Sequence, residues 1–186
     1  MGKKLLIITL LLINGSYLYA RVQMPDIFIY NGNKYRLLAI GFPNTYLNIF
    51  SLDLLGIKPK MLHTACYRGY IATFTINENN KLILNQLYTN NGNNINNEIP
   101  VINGILPRIT TPEHLIKESL DYRIWDYNNI DLLINYTGSL IISLNRENRT
   151  EIIKLNFING ELINTQDVSS QNWRENHYII NWFELL

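Results

Sequence analysis

The sequence predicts a β-rich α+β fold: a single domain whose mostly antiparallel sheet is built from hairpins, with one or two short helices. Three observations predict it. Asn-Gly pairs at 31–32 and 159–160 stand between apolar runs, the composition that tight hairpin turns require. Residues 70–76 alternate with the period of a strand, Tyr70, Ala72, Phe74 and Ile76 on one face and Thr73 and Thr75 on the other. No internal repeat or linker divides the chain, and 186 residues suit one domain.

The N-terminus reads as a targeting segment. Lys3-Lys4 precedes nine residues from Leu5 to Ile13 that are almost all apolar, and residues 14–20 are mostly polar or small, although Leu18 is bulkier than the usual cleavage pattern. This is the order of a secretory signal peptide. Nine residues are too few to span a hydrocarbon layer, which takes about 20. Cleavage is expected near Ser16 or Ala20, and no Cys follows to carry a lipid. The division is therefore a leader at 1–23 and one β-rich domain at 24–186. An uncleaved anchor, or translation from Met24, are the two alternatives.

Within the domain, 26–30 and 34–40 form the first predicted hairpin, around Asn31-Gly32. Residues 47–55, between Pro43 and Pro59, fit a short helix or a packed loop. The second hairpin joins 68–76 to 81–88 through Asn77-Glu78-Asn79-Asn80, with Leu82, Leu84 and Tyr88 expected on one face. Residues 90–98 are nearly all Asn and Gly and have nothing to bury, so a surface loop is expected. Residues 100–107 are apolar and re-enter the body. Thr111, Pro112 and Glu113 have the chemistry of a helix start, predicting a helix over 112–120. Strands are expected at 130–134 and 139–144, and a last hairpin pairs 151–158 with 161–165 around Asn159-Gly160. Trp173, Trp182 and Phe183 suggest a docked C-terminal tail.

Composition excludes more than it assigns. Apolar residues make up 47% and charged residues 17%, with polarity supplied by 27 Asn alongside 28 Ile. That bias reflects an AT-rich genome rather than a ligand code. The net charge of +1 becomes −1 when Lys3 and Lys4 leave with the leader. Such a domain lacks the basic stripe that holds a phosphate backbone, so no nucleic-acid partner is expected. One cysteine rules out an intrachain disulfide and Cys-based zinc sites, and no metal or cofactor is expected.

The densest cluster of reactive side chains is His63-Thr64-Ala65-Cys66-Tyr67-Arg68-Gly69-Tyr70. A nucleophilic Cys66 with His63 as base would need a lowered thiol pKa and an oriented imidazole. Along a strand the two would point to opposite faces, so Cys66 reads better as a small packed hydrophobe. Arg68, between Tyr67 and Tyr70, fits recognition of a carboxylate with the rings stacked beside it. The competing reading is an internal ion pair. Gly69 marks a bulge or a close backbone approach. His114 and His177 have no ligand spacing. Asp121, Asp126 and Asp131 recur every five residues, which matches neither a strand nor a helix face, and no phosphate loop or nucleophile elbow is present.

Three stretches give the chain a family likeness. These are Met24 to Gly32, Thr64-Ala65-Cys66-Tyr67-Arg68-Gly69-Tyr70, and Asn103-Gly104-Ile105 together with Tyr136 to Ile141. Over most of residues 24–165 the chain resembles a family of uncharacterised bacterial proteins whose most specific motif is the aromatic-Arg-Gly-aromatic step. Members of that family begin near the position of Met24 and carry a His-containing strand segment around 144–150 that this chain lacks. The likeness implies the domain boundary and no activity.

The functional expectation is an exported, non-enzymatic binding or interaction module, periplasmic, cell-surface or secreted, whose binding residues are Tyr67, Arg68 and Tyr70. Its partner is expected to be a protein or a small-molecule ligand, and membrane contact is expected only through an uncleaved leader. The alternatives are a cytoplasmic immunity-type partner starting at Met24, and a hydrolase whose acidic residues converge only in the fold.

Overall fold

Tight turns set the hairpins of this chain, and the described residues form ten strands. The computed structural model describes residues 24–38, 49–63, 65–90, 92, 98–110, 123–146 and 149–169. The strands are β1 (Ile27–Tyr30), β2 (Asn33–Leu38), β3 (Tyr70–Ile76), β4 (Leu82–Asn90), β5 (Arg108–Thr110), β6 (Ile124–Tyr127), β7 (Leu132–Leu133), β8 (Gly138–Arg146), β9 (Arg149–Ile158) and β10 (Glu161–Asp167). Among the described residues the helical content is one 3-10 turn at Leu52–Leu55, capped by Gly56 in the left-handed conformation. The helix expected over 112–120, the leader and the C-terminal tail lie outside the described residues.

The strands form one mostly antiparallel sheet in the order β10-β9-β8-β2-β1-β3-β4-β6-β5, with β7 also on β4. The exception is β1 on β3, which is parallel, with Phe28 opposite Phe74. The sheet curls onto itself. Lys81 bridges Glu161, Leu82 N–H donates to the Gly160 carbonyl at 2.7 Å, and Leu162 N–H donates to Asn80 O at 2.8 Å. This closure needs Gly160, because a Cβ there would run into the Ile134 carbonyl. The interior so enclosed holds Phe28, Phe74, Leu84, Leu87, Trp125, Tyr127, Leu140 and Phe157, all buried. A smaller cluster of Leu38, Ile141, Ile152 and Val168 is buried on the opposite face.

The predicted hairpins are present. Asn31-Gly32 and Asn159-Gly160 have both residues at positive φ, the type I′ geometry that matches strand twist. The β3–β4 pair is also present, but Tyr88 does not share a face with Leu82 and Leu84. The register passes from Thr73 opposite Gln86 to Phe74 opposite Leu84, leaving Asn85 as an extra residue. That bulge inverts the alternation beyond it, so Leu87 and Thr89 turn inward and Tyr88 is 41% exposed. Asn90, expected in a surface loop, is instead fully buried at the end of β4. The strand expected at 130–134 shrinks to β7, because Asn129 and Asp131 take positive φ.

Candidate functional site

The segment before β3 is held by a carboxylate at the start of β1. Asp26 precedes Ile27, which pairs in parallel with Thr73, so its side chain reaches the next rung of that ladder. Its Oδ1 accepts from the Ala72 N–H at 2.8 Å and from Arg68 Nη2 at 2.8 Å, while Oδ2 accepts from Arg68 Nη1 at 2.8 Å. Arg68 Nη2 also donates to the Met24 carbonyl at 3.3 Å. The guanidinium lies over the Tyr70 ring, 4.5 Å from its centroid. A planar fork meeting both carboxylate oxygens is the strongest form of ion pair. The side chains are 19% and 9% exposed, so water screens the pair little. Burial works against the charged guanidinium, but the hydrogen bonds and charge of Asp26 outweigh it and raise its pKa. Arg68 is thus engaged within the fold, as its competing reading held.

The turn between residues 62 and 69 is built from backbone bonds. Leu62 N–H donates to Cys66 O at 3.1 Å, Cys66 N–H to His63 O at 2.7 Å, and Met24 N–H to Ala65 O at 2.6 Å. Gly69 lies at φ +77 against the backbone of Lys60, where any Cβ would collide with the Lys60 carbonyl. Asn90 closes the other side: its Oδ1 accepts from Lys60 N–H and Gly92 N–H, both at 2.9 Å, and its Nδ2 donates to Lys60 O. Thr89, also buried, donates its hydroxyl to Gly69 O at 3.1 Å. Sequence reasoning missed Asp26, Thr89 and Asn90. Their polarity before or at the end of an apolar strand was the available signal.

The sequence-predicted residues separate into two environments. Tyr70 is half-buried, edge-on to Phe50 with ring centroids 6.2 Å apart. Burial pushes its phenol pKa up, against the opposing charge of Arg68. Tyr67, on the turn, is 70% exposed. Met24 and Met61, at 40% and 47%, are exposed on the segments bonded to this turn or adjoining it. Cys66 is buried, and its S–H donates to the Tyr70 carbonyl at 3.3 Å. Burial raises the thiol pKa despite the nearby Arg68, so the thiol is protonated at neutral pH. His63 faces Cys66 across a tight turn rather than along a strand, and its Nδ1 accepts from the Ala65 N–H at 3.3 Å. The requirements of a thiol–imidazole pair are therefore not met in this geometry.

Among the described residues the acidic side chains do not gather. Asp126 sits within β6 opposite Tyr88 and Arg108, whereas Asp131 follows the next turn and accepts from Asn85 Nδ2 at 3.2 Å. Asp121, His114 and His177 lie outside the described residues. Among the described residues no group of three or more His, Cys, Asp or Glu is placed to hold a metal ion, and no helix is long and apolar enough to cross a membrane.

Burial also raises the pKa of the Tyr127 phenol, which donates to Pro100 O at 2.9 Å, and of the Tyr136 phenol. The folded chain then keeps protons that an unfolded chain releases near 9.0 for Cys66 and 10.0 for the tyrosines. Protons held more tightly in the folded state make stability fall with rising pH. The contribution is complete below the unfolded values and is lost as pH rises through the folded ones. A melting temperature followed by circular dichroism should start to fall above about pH 9. Tyr127→Phe should flatten that fall.

No protein-family model, no curated protein and no solved structure matches the chain.

Proposed function

We propose that this protein is an exported, non-enzymatic binding module that recognises its partner through the turn carrying Tyr67. The observation that carries the reading is a large aromatic side chain, 70% exposed, on a backbone fixed from three sides. Tyrosine offers wide amphipathic contact at the loss of only two torsions, and a turn already ordered adds little further entropy cost on binding. Arg68 and Tyr70 then act as positioning residues. The first aims the turn through Asp26, and the second supports the guanidinium from below. Met24 and Met61, exposed on the segments bonded to this turn or adjoining it, add adaptable apolar surface.

Site-specific photo-cross-linking in the native cell tests this, with a benzoylphenylalanine at position 67 compared with position 78 in the exposed β3–β4 turn. A discrete adduct at 67 and none at 78 is expected; equal labelling, or none, removes the recognition turn. Tyr67→Ala should change stability by no more than about 1 kcal/mol, as for other exposed positions. Export is tested separately by the N-terminal sequence and cell fraction of the native protein. A start near Arg21 outside the cytoplasm supports it, and a start at Met24 in the cytosol favours the cytoplasmic partner instead.

A further inference from the structure

Three Asn-Gly pairs among the described residues form turns of one kind. They are Asn31-Gly32, Asn103-Gly104 and Asn159-Gly160, each with both residues at positive φ. The pair carries a latent reaction, because glycine has no Cβ to shield its amide nitrogen from the preceding side-chain carbonyl. How fast it proceeds depends on whether the two reacting groups are free, and the three turns differ in this.

At Asn159-Gly160 both groups are occupied. Gly160 N–H donates to Tyr136 O at 2.8 Å, and Asn159 Oδ1 accepts from the Thr137 hydroxyl at 3.4 Å. Gly160 is also buried in the contact that closes the sheet. At Asn103-Gly104 the side-chain nitrogen is tied down, donating to Ile130 O at 2.8 Å and Asp131 O at 3.3 Å. At Asn31-Gly32, residues 31–34 are all exposed, and among the described residues nothing holds the Asn31 side chain or the Gly32 N–H. A bond at the pair helps the reaction. Asn33 Nδ2 donates to the Asn31 backbone carbonyl at 3.2 Å, drawing charge from the peptide whose nitrogen belongs to Gly32.

We propose that Asn31 is a site of spontaneous deamidation, selected from three turns of the same sequence by its hydrogen-bond environment. Solvent base removes the Gly32 amide proton, and the nitrogen attacks Asn31 Cγ to form a new C–N bond. The tetrahedral intermediate takes a proton from water and expels the side-chain nitrogen as ammonia, leaving a succinimide. One water then opens the ring at either carbonyl, giving aspartate or isoaspartate and one new negative charge. The isoaspartate product routes the backbone through the former side chain, which a two-residue I′ turn cannot accommodate without shifting the β1–β2 register.

The test ages the folded full-length chain in mildly alkaline buffer and maps each turn by peptide mass spectrometry, with isoaspartyl methyltransferase labelling of the product. Each hydrogen bond that must break is worth on the order of a tenfold rate, so Asn31 should convert about tenfold faster than Asn103 or Asn159. In denaturant, where only sequence matters, the three rates should come together to within about twofold. Equal rates in the folded protein would overturn the proposal, as would faster conversion at 103 or 159. The same holds if Asn31 stays intact over the time in which the denatured chain reacts.

Discussion

Phe74→Ala is expected to lower the unfolding free energy by about 3–5 kcal/mol, the range for emptying a buried aromatic site. Phe74 is 1% exposed and stands where three strands meet, opposite Phe28 on β1 and Leu84 on β4. The Phe50 ring packs edge-on against it with centroids 5.7 Å apart. Collapse into the cavity is restricted, because the β4 bulge at Asn85 fixes the backbone beside it and the parallel β1 ladder fixes the other side. Urea denaturation should show a lower midpoint with an unchanged slope. Thr75→Ala, on the opposite face, removes only the hydroxyl bond to Ile29 O at 3.0 Å, and should cost about 1 kcal/mol. A loss below about 1 kcal/mol for Phe74→Ala would mean that β3 presents its other face to the core.

The parts of the fold legible in the sequence are those decided by local chemistry. Asn31-Gly32 and Asn159-Gly160 can take two successive positive φ values, and that alone sets two hairpins. Alternation in β3 sets its buried face. The β4 bulge was not legible, because Asn85-Gln86 reads as two more steps of an alternating strand. Only the pull of Leu87 and Thr89 into the interior shows that one residue is extra. Strands β5 and β6 were missed for another reason. Ile124–Tyr127 is four residues long and is stabilised by pairing with β4, a partner more than thirty residues away in sequence, which no local pattern encodes.

The candidate site was half legible. The sequence singles out Tyr67, Arg68 and Tyr70 because an arginine between two aromatic rings is chemically distinctive. It does not reveal that Arg68 faces Asp26, since the two meet only through the parallel pairing of β1 with β3. That pairing requires the chain to leave β2 and return on the far side of β1, and long crossovers leave no trace in residue spacing.

The second large effect follows from that pair. Asp26→Ala should cost about 3–5 kcal/mol, because it strands a guanidinium that is only 19% exposed and also orphans the Ala72 N–H. The lower end is expected, since Met24 O still accepts one hydrogen bond from Arg68 and some water reaches the group. Asp26→Asn keeps an oxygen for Ala72 but gives up the charge, so it should fall between Asp26→Ala and the wild type. Arg68→Met alone leaves the carboxylate with the Ala72 bond and little water. The double variant, Asp26→Ala with Arg68→Met, removes both charges at once. Its loss should be smaller than the sum of the two single losses by about 2 kcal/mol or more, measured as a denaturation cycle. Additive losses would mean the two side chains act separately, and the turn would then depend on its backbone bonds alone. If the pair does aim the turn, the double variant should stay folded while photo-cross-linking from position 67 is lost. Stability and presentation of Tyr67 would then come apart, which a purely structural ion pair would not produce.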